Sequence, residues 1–308
     1  MKKQLDNIYR KDFRTIRTGI FSQSQRELFN TSTKKENTDE LIMPWHLISK
    51  IKNNIIDDYK LLHISKKYFK NSKILNKLEI VGNKDLLYLM DNSSKILPGV
   101  ILDTTDGPIV INKNVTIMPF SYLKGPIYIG ENTTIKDARI YGGVSIGNSC
   151  RIAGELENCL IGNFTNKNHE SAIVHSYVGD WCNIGGYFKT ADLNLDYSTI
   201  KIHLMNNKKI DTKMQKLGVI ISDYVRIGAG MLTNPGTFID FGCSLIQLPK
   251  ISGYFDPFTL YHKDNFCEIN SFLSQISVFM QRRDMNVTDE LVDKCIQMYN
   301  KTNILLQC

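Results

Sequence analysis

From about residue 98 to 250 an aliphatic residue returns every five or six positions, often followed by glycine and a turn. The series passes through Ile111, Ile117, Leu123, Ile129-Gly130, Ile135, Ile140, Ile146-Gly147, Ile152, Ile161-Gly162, Val178-Gly179 and Ile184-Gly185. It resumes at Ile221, Ile227-Gly228 and Ile239. Three hexads make a larger period: Ile111 to Ile129 is 18 residues, and Ile129 to Ile146 and Ile161 to Val178 are 17 each. That spacing predicts a triangular parallel β-helix. Each hexad gives one short strand and one corner, three corners close a coil, and the aliphatic residues stack coil on coil into an apolar column. Glycine after the aliphatic residue is expected to supply a corner conformation that a Cβ would obstruct. A β-sandwich of short strands would show longer runs of strict alternation, which are weak here.

The flanks follow other rules. Residues 1–75 are polar and Lys/Asn-rich, with helical periodicity in PWHLISKIKNNIIDDYKLL and Pro44 suited to a first helical turn. Residues 256–308 read as a helical pair, the second helix with Thr288 as N-cap and an acidic first turn that suits the helix dipole. Between them the β-helix is expected over 76–255. Its hexads are interrupted by residues 193–217, an expected loop or hairpin excursion of the kind that builds binding sites on solenoids.

With 42% hydrophobic and 22% charged residues in 308, disordered, collagen-like and disulfide-stapled classes are excluded. The net charge of +7 comes from 38 basic and 31 acidic residues. Its basic excess gathers in Lys50, Lys52, Lys60, Lys66, Lys67, Lys70, Lys73 and Lys77, against Asp57 and Asp58. No nucleic-acid-binding signature accompanies this run, so it reads as a solvated face and no nucleic-acid partner is expected. The seven cysteines form no CxxC pair, and they read as reduced, small apolar residues. Without an apolar run of membrane-spanning length or a secretory signal, the expected location is the cytoplasm, with no membrane partner.

The motifs carry a resemblance. IGNFTNKNHESAIVHSYVGDWCNIGG is similar to the acetyltransferase core of bifunctional N-acetylglucosamine-1-phosphate uridyltransferases, where IG-x-x-S-K-x-x-H precedes NIGAG. More extensive is the similarity to a bacterial group described as sugar nucleotidyltransferases. It rests on PWH at 44–46, GPIYIG at 125–130, AGEL at 153–156, NKNHES at 166–171, VHSYVGDW at 174–181, TADL at 190–193 and QRRD at 281–284. About 40 residues precede PWH and no LxxGxGTRM-type loop is present, so nucleotidyl transfer is not expected. The resemblance implies a left-handed β-helix, a homotrimer with sites between subunits, and acetyl-CoA-dependent N- or O-acyl transfer to an amino sugar, sugar phosphate or nucleotide sugar.

Residue by residue, the resemblance places the catalytic base at His169, with His175 as runner-up and Asp192 orienting the imidazole. Histidine suits the task because its neutral form is well populated near pH 7. Asn183 matches an acceptor-binding position, and Arg139 and Lys167 are the nearest cations for a sugar phosphate. For CoA, Gly228, Ala229 and Gly230 leave room for the pantetheine arm, Arg226 and Lys250 are candidate phosphate contacts, and Tyr187 stands beside the thioester. The chain departs from the pattern at Ala172, where the family has an acceptor-contacting Tyr, at Glu157, near a family cation, and at NIGGY for NIGAG. These departures move the expected acceptor away from glucosamine 1-phosphate, and they leave open a competing class, a trimeric binding or scaffold protein without turnover. A shared zinc site of His169, His175 and His203 does not fit the His-x4-His spacing such sites use, and no metal is expected.

Overall fold

The computed structural model describes residues 17–22, 43–64, 77–205, 208–246, 250–261 and 265–306. Lys66, Lys67, Lys70 and Lys73 of the basic run lie outside them, as does Cys308. The repeat winds into a parallel β-helix with three ladders of short strands. The first face is a nine-stranded ladder from Leu87–Leu89 to Tyr254–Phe255. The second face runs from Lys95–Ile96 to Ser244–Leu245, and the third from Glu79–Val81 to Lys250–Ile251. The strands Thr134–Tyr141 and Arg151–Glu157 turn the corner between second and third faces without a break in pairing beyond a register shift at Ala153/Gly154.

The expected column is present. Ile111 pairs with Ile129, Ile129 with Ile146, Ile146 with Ile161, Ile161 with Val178, Val178 with Ile221 and Ile221 with Ile239. All are buried. The step from Val178 to Ile221 skips the excursion entirely, so the coil closes as if residues 193–217 were absent.

Glycine works differently from the expectation. Gly130, Gly147, Gly162 and Gly179 do not have positive φ; the left-handed residues stand two positions later, at Asn132, Ser149, Phe164 and Trp181. What excludes a side chain at the glycines is the next coil: a Cβ at Gly147 would lie 2.7 Å from the Asn163 nitrogen, and one at Gly162 would lie 2.4 Å from the Gly179 carbonyl carbon. The repeat glycine therefore permits close approach between coils, not a special turn.

On the first face the middle residue of each strand points outward, and it too is largely apolar. Tyr88, Val110, Tyr128, Leu160, Tyr177, Ile220, Phe238 and Tyr254 are all buried. Helix α1 (Pro44–Ile64) lays the stripe Trp45, Ile48, Ile51, Ile55, Tyr59 and Leu62 across this ladder. Residues 17–22 are held against α1 by Asp58, whose Oδ2 accepts from the Ile20 and Phe21 amides at 2.8 and 3.0 Å. At the other end α2 (Ile269–Gln281) and α3 (Asp289–Leu306) pack Phe272, Ile276 and Cys295 onto Phe241 and Phe258. Thr288 caps α3, its Oγ1 accepting from the Leu291 amide at 3.3 Å.

The excursion leaves the corner between third and first faces and forms an antiparallel hairpin of Lys201–His203 with Lys209–Asp211. Ile200, Ile202 and Leu204 pack inward with Ile220 and Phe238 of the first face. Its neck is closed by Leu193 bridging Lys216, and by the Leu217 amide donating to the Asp192 carbonyl at 2.9 Å.

Candidate active site

His175 ends the third-face strand Ala172–Val174 in a left-handed conformation, φ +47°. Its amide donates to the Glu157 carbonyl at 2.9 Å, and its carbonyl accepts from Gly218 at 2.8 Å, where the chain returns from the excursion. Asp192 stands one coil on, at the neck. Its Oδ2 lies 2.8 Å from His175 Nδ1, with the two side chains 12% and 22% exposed. The contact falls short of a full hydrogen bond, and among the described residues Nδ1 has no other partner. The His175 imidazole beside it, against the pull of partial burial, holds the Asp192 carboxyl below the usual carboxylate range. With Nδ1 turned to a carboxylate, Nε2 is the nitrogen left to take a proton, which is the arrangement of a base oriented by an acid.

His169 occupies a different corner, between second and third faces. It is exposed, and its ring makes no hydrogen bond or ion pair among the described residues. Its Cβ would lie 3.2 Å from a Cβ at Gly186, so the glycine leaves it space. The structure thus gives Asp192 to His175 rather than to His169. The corner residues of one coil are separated by the width of the third face, on the order of 15 Å for strand residues at about 3.3 Å each.

Two of the expected ligand contacts, Lys167 and Arg226, are corrected, and Asn183 is already engaged by a neighbour. Lys167 is 1% exposed and points into the solenoid, in register with Ile152, where its ammonium donates to the carbonyls of Ala153 and Ser171. Burial pushes it down to about 7, and it is out of reach of a surface phosphate. Arg226 lies under α2, its Nη2 donating to Gln275 Oε1 at 2.6 Å, with burial lowering its pKa. Asn183 accepts at Oδ1 from Asn166 Nδ2 at 2.8 Å, a rung that ties neighbouring coils. Arg139 is at the surface but already paired with Glu170 at 2.7 Å, a partner 31 positions away that adjacent motifs give no sign of.

The remaining CoA candidates lie along the corner between second and third faces. Tyr187 is 68% exposed. Ala229 and Gly230 are exposed, and a Cβ at Gly230 would meet nothing within 4 Å. Lys250 is exposed where the third face ends, whereas Gly228 is backed by the Ile246 side chain. This edge is open at Tyr187, Ala229 and Gly230, and Arg226 is not on it. The buried cysteines are no part of it: burial pushes Cys150 and Cys159 up to about 12, so their thiols stay protonated.

No family model matches the chain. The bifunctional protein GlmU of Methanocaldococcus jannaschii is 28% identical over 125 residues, 41% of this chain and 26% of that protein, so the match spans about a quarter of the relative. Among solved structures, AntD, an N-acyltransferase from Bacillus cereus in complex with dTDP and 3-hydroxybutyryl-CoA, is 15% identical. It covers 71% of this chain and 99% of its own, at a TM-score of 0.30. A hexapeptide transferase family protein from Anaplasma phagocytophilum is 13% identical over 75% of this chain and 98% of its own, at 0.21. By the order of its motifs and the coils they form, the chain is similar to the hexapeptide-repeat acyltransferases, with its local sequence likeness falling on GlmU.

Proposed function

We propose that the protein transfers an acyl group, acetyl in the simplest case, from CoA to an amine or hydroxyl of an amino sugar, sugar phosphate or nucleotide sugar. The observation that carries this reading is the His175–Asp192 pair at 2.8 Å, half-sheltered at a corner. His175 Nε2 takes the proton as the acceptor nitrogen or oxygen attacks the thioester carbonyl. The new N–C or O–C bond forms, the C–S bond breaks, and the thiolate leaves to be protonated as free CoA. Asp192 fixes the ring orientation and stabilises the imidazolium. Tyr187, Ala229, Gly230 and Lys250 would line the co-substrate, with His169 beside them. Because that edge and His175 flank opposite sides of one face, base and thioester meet only when a second copy brings its edge across, so a homotrimer is part of the reading.

The test is thiol release from acetyl-CoA with a panel of amino sugars, sugar phosphates and nucleotide sugars. His175→Ala is expected to lower kcat by about 10²–10⁴-fold, Asp192→Asn by a smaller factor in the same direction, and His169→Ala by less than about tenfold. Wild-type turnover in His175→Ala would remove it as the base. No turnover with any acceptor, together with no CoA binding by calorimetry, would remove acyl transfer and leave the non-catalytic binding protein.

A further inference from the structure

The excursion does more than close its neck over Asp192. Between its hairpin and the corners of the two following coils lies a cleft of about 300 Å³, lined chiefly by polar groups. On the hairpin side it presents Ser198, Lys201, His203 and Lys209, and on the solenoid side Asn234 and Ser252. The hairpin register explains the cations. Ile202 pairs with Ile210 and turns inward, so Lys201, His203 and Lys209 share the opposite face. Among the described residues neither Lys201 nor Lys209 pairs with a carboxylate, and no carboxylate lines the cleft. The acidic residue on the same hairpin face, Asp211, is engaged by Lys213, which is outside the cleft, at 3.1 Å. The solenoid wall is preformed: Asn234 Nδ2 donates to Ser252 Oγ at 3.1 Å, locking two coils together.

We infer that this cleft binds the phosphate of a sugar diphosphate or nucleotide sugar. Two ammonium groups without a carboxylate partner among the described residues, lining a polar recess with hydroxyl and amide groups opposite, match a phosphate and repel a cationic ligand. The position adds a role. The cleft runs along the same corner as His175, with Asn234 two coils beyond it, on the order of 10 Å at about 4.8 Å per coil. A ligand anchored there by its phosphates carries its sugar toward His175. That this ligand is the acceptor rests on the acyl-transfer reading; that it bears phosphate does not.

Calorimetry without CoA, using UDP, glucosamine 6-phosphate and glucose as probes, separates the two. A phosphorylated probe is expected to bind wild type, with affinity falling about tenfold in each of Lys201→Gln and Lys209→Gln and weakening with salt. Lys113→Gln, exposed at a different corner of the solenoid, should leave binding unchanged, and thermal melts of all three verify folding. Absence of binding by every phosphorylated probe, affinity indifferent to both lysines, or glucose binding as tightly as the phosphates would each overturn the assignment. Binding that follows the lysines while thiol release is absent upholds the phosphate site and removes its role as acceptor pocket.

Discussion

Lys167 stands where the repeat calls for an aliphatic side chain, stacked on Ile152 within the solenoid and 1% exposed. Its charged form is penalised by burial, so the folded chain lets its proton go near pH 7 while the unfolded chain keeps it to the ordinary lysine range. Between those limits the unfolded state holds more protons, and stability rises with pH by up to about 1.4 kcal/mol per unit. Below pH 7 both states are protonated and this dependence ends. Lys167→Met is expected to flatten the rise, measured as urea midpoints at pH 7.5 and 9; an unchanged slope would show that the rise has another source. The sequence hid this position through residue type, because a charged side chain is not expected in an apolar column. Lys167 itself keeps the count, six residues after Ile161 and 17 before Ile184, but a lysine at that place makes NKNHES read as a polar surface corner. His175 was more legible, as a motif histidine, but its carboxylate partner comes from a different coil, and only folding brings Asp192 to it.

At the scale of an element, the hexad is two separate devices. The glycine admits the next coil, and the residue two positions later makes the left-handed turn. Gly179→Ala would set a Cβ 2.4 Å from Asp223 Oδ1 and 2.7 Å from the Asp223 amide nitrogen. It is expected to cost about 1–3 kcal/mol in urea unfolding. Ser149→Gly, at φ +57°, relieves the left-handed conformation and is expected to be neutral or stabilising by the same measurement. If both changes cost alike, the turn and not the coil contact governs the repeat. The same left-handed positions hold Phe164, Trp181 and Tyr224, which stack along one corner, Phe164 on Trp181 at 4.3 Å and Trp181 on Tyr224 at 6.4 Å. Phe279 of α2 meets Trp181 edge-on, and this anchors the C-terminal pair. The helices were legible from Pro44 and Thr288, because caps are local signals. The outward apolar ladder under α1 was not, because strands buried on both sides lose the alternation that marks a face.

For the whole molecule, the two histidines on opposite edges of the third face turn the question of function into one of assembly. Ala229→Trp fills the open edge without demanding a special backbone, and His175→Ala removes the proposed base. Each variant alone is expected to be inactive. Mixed and allowed to exchange subunits, they should regain turnover, because some interfaces then pair an intact edge with an intact base. Recovery is read as thiol release, with sedimentation confirming exchange; exchange without recovery would show that edge and base act within one copy. The hairpin and its lysines belong to this scale as well. The alternation in KIH and KID gives them one face, yet the wall they oppose comes from coils that follow the excursion.

The sequence by itself determined the parallel coils, the stacked column and the helical flanks, because each follows from periodicity and local caps within a few residues. The tertiary structure decided which histidine meets a carboxylate, which lysine is swallowed by the core, which arginine is covered by a helix and where two lysines line a cleft. Those outcomes depend on the register between coils and on how the inserted segment folds back, and a single added or missing corner residue resets both.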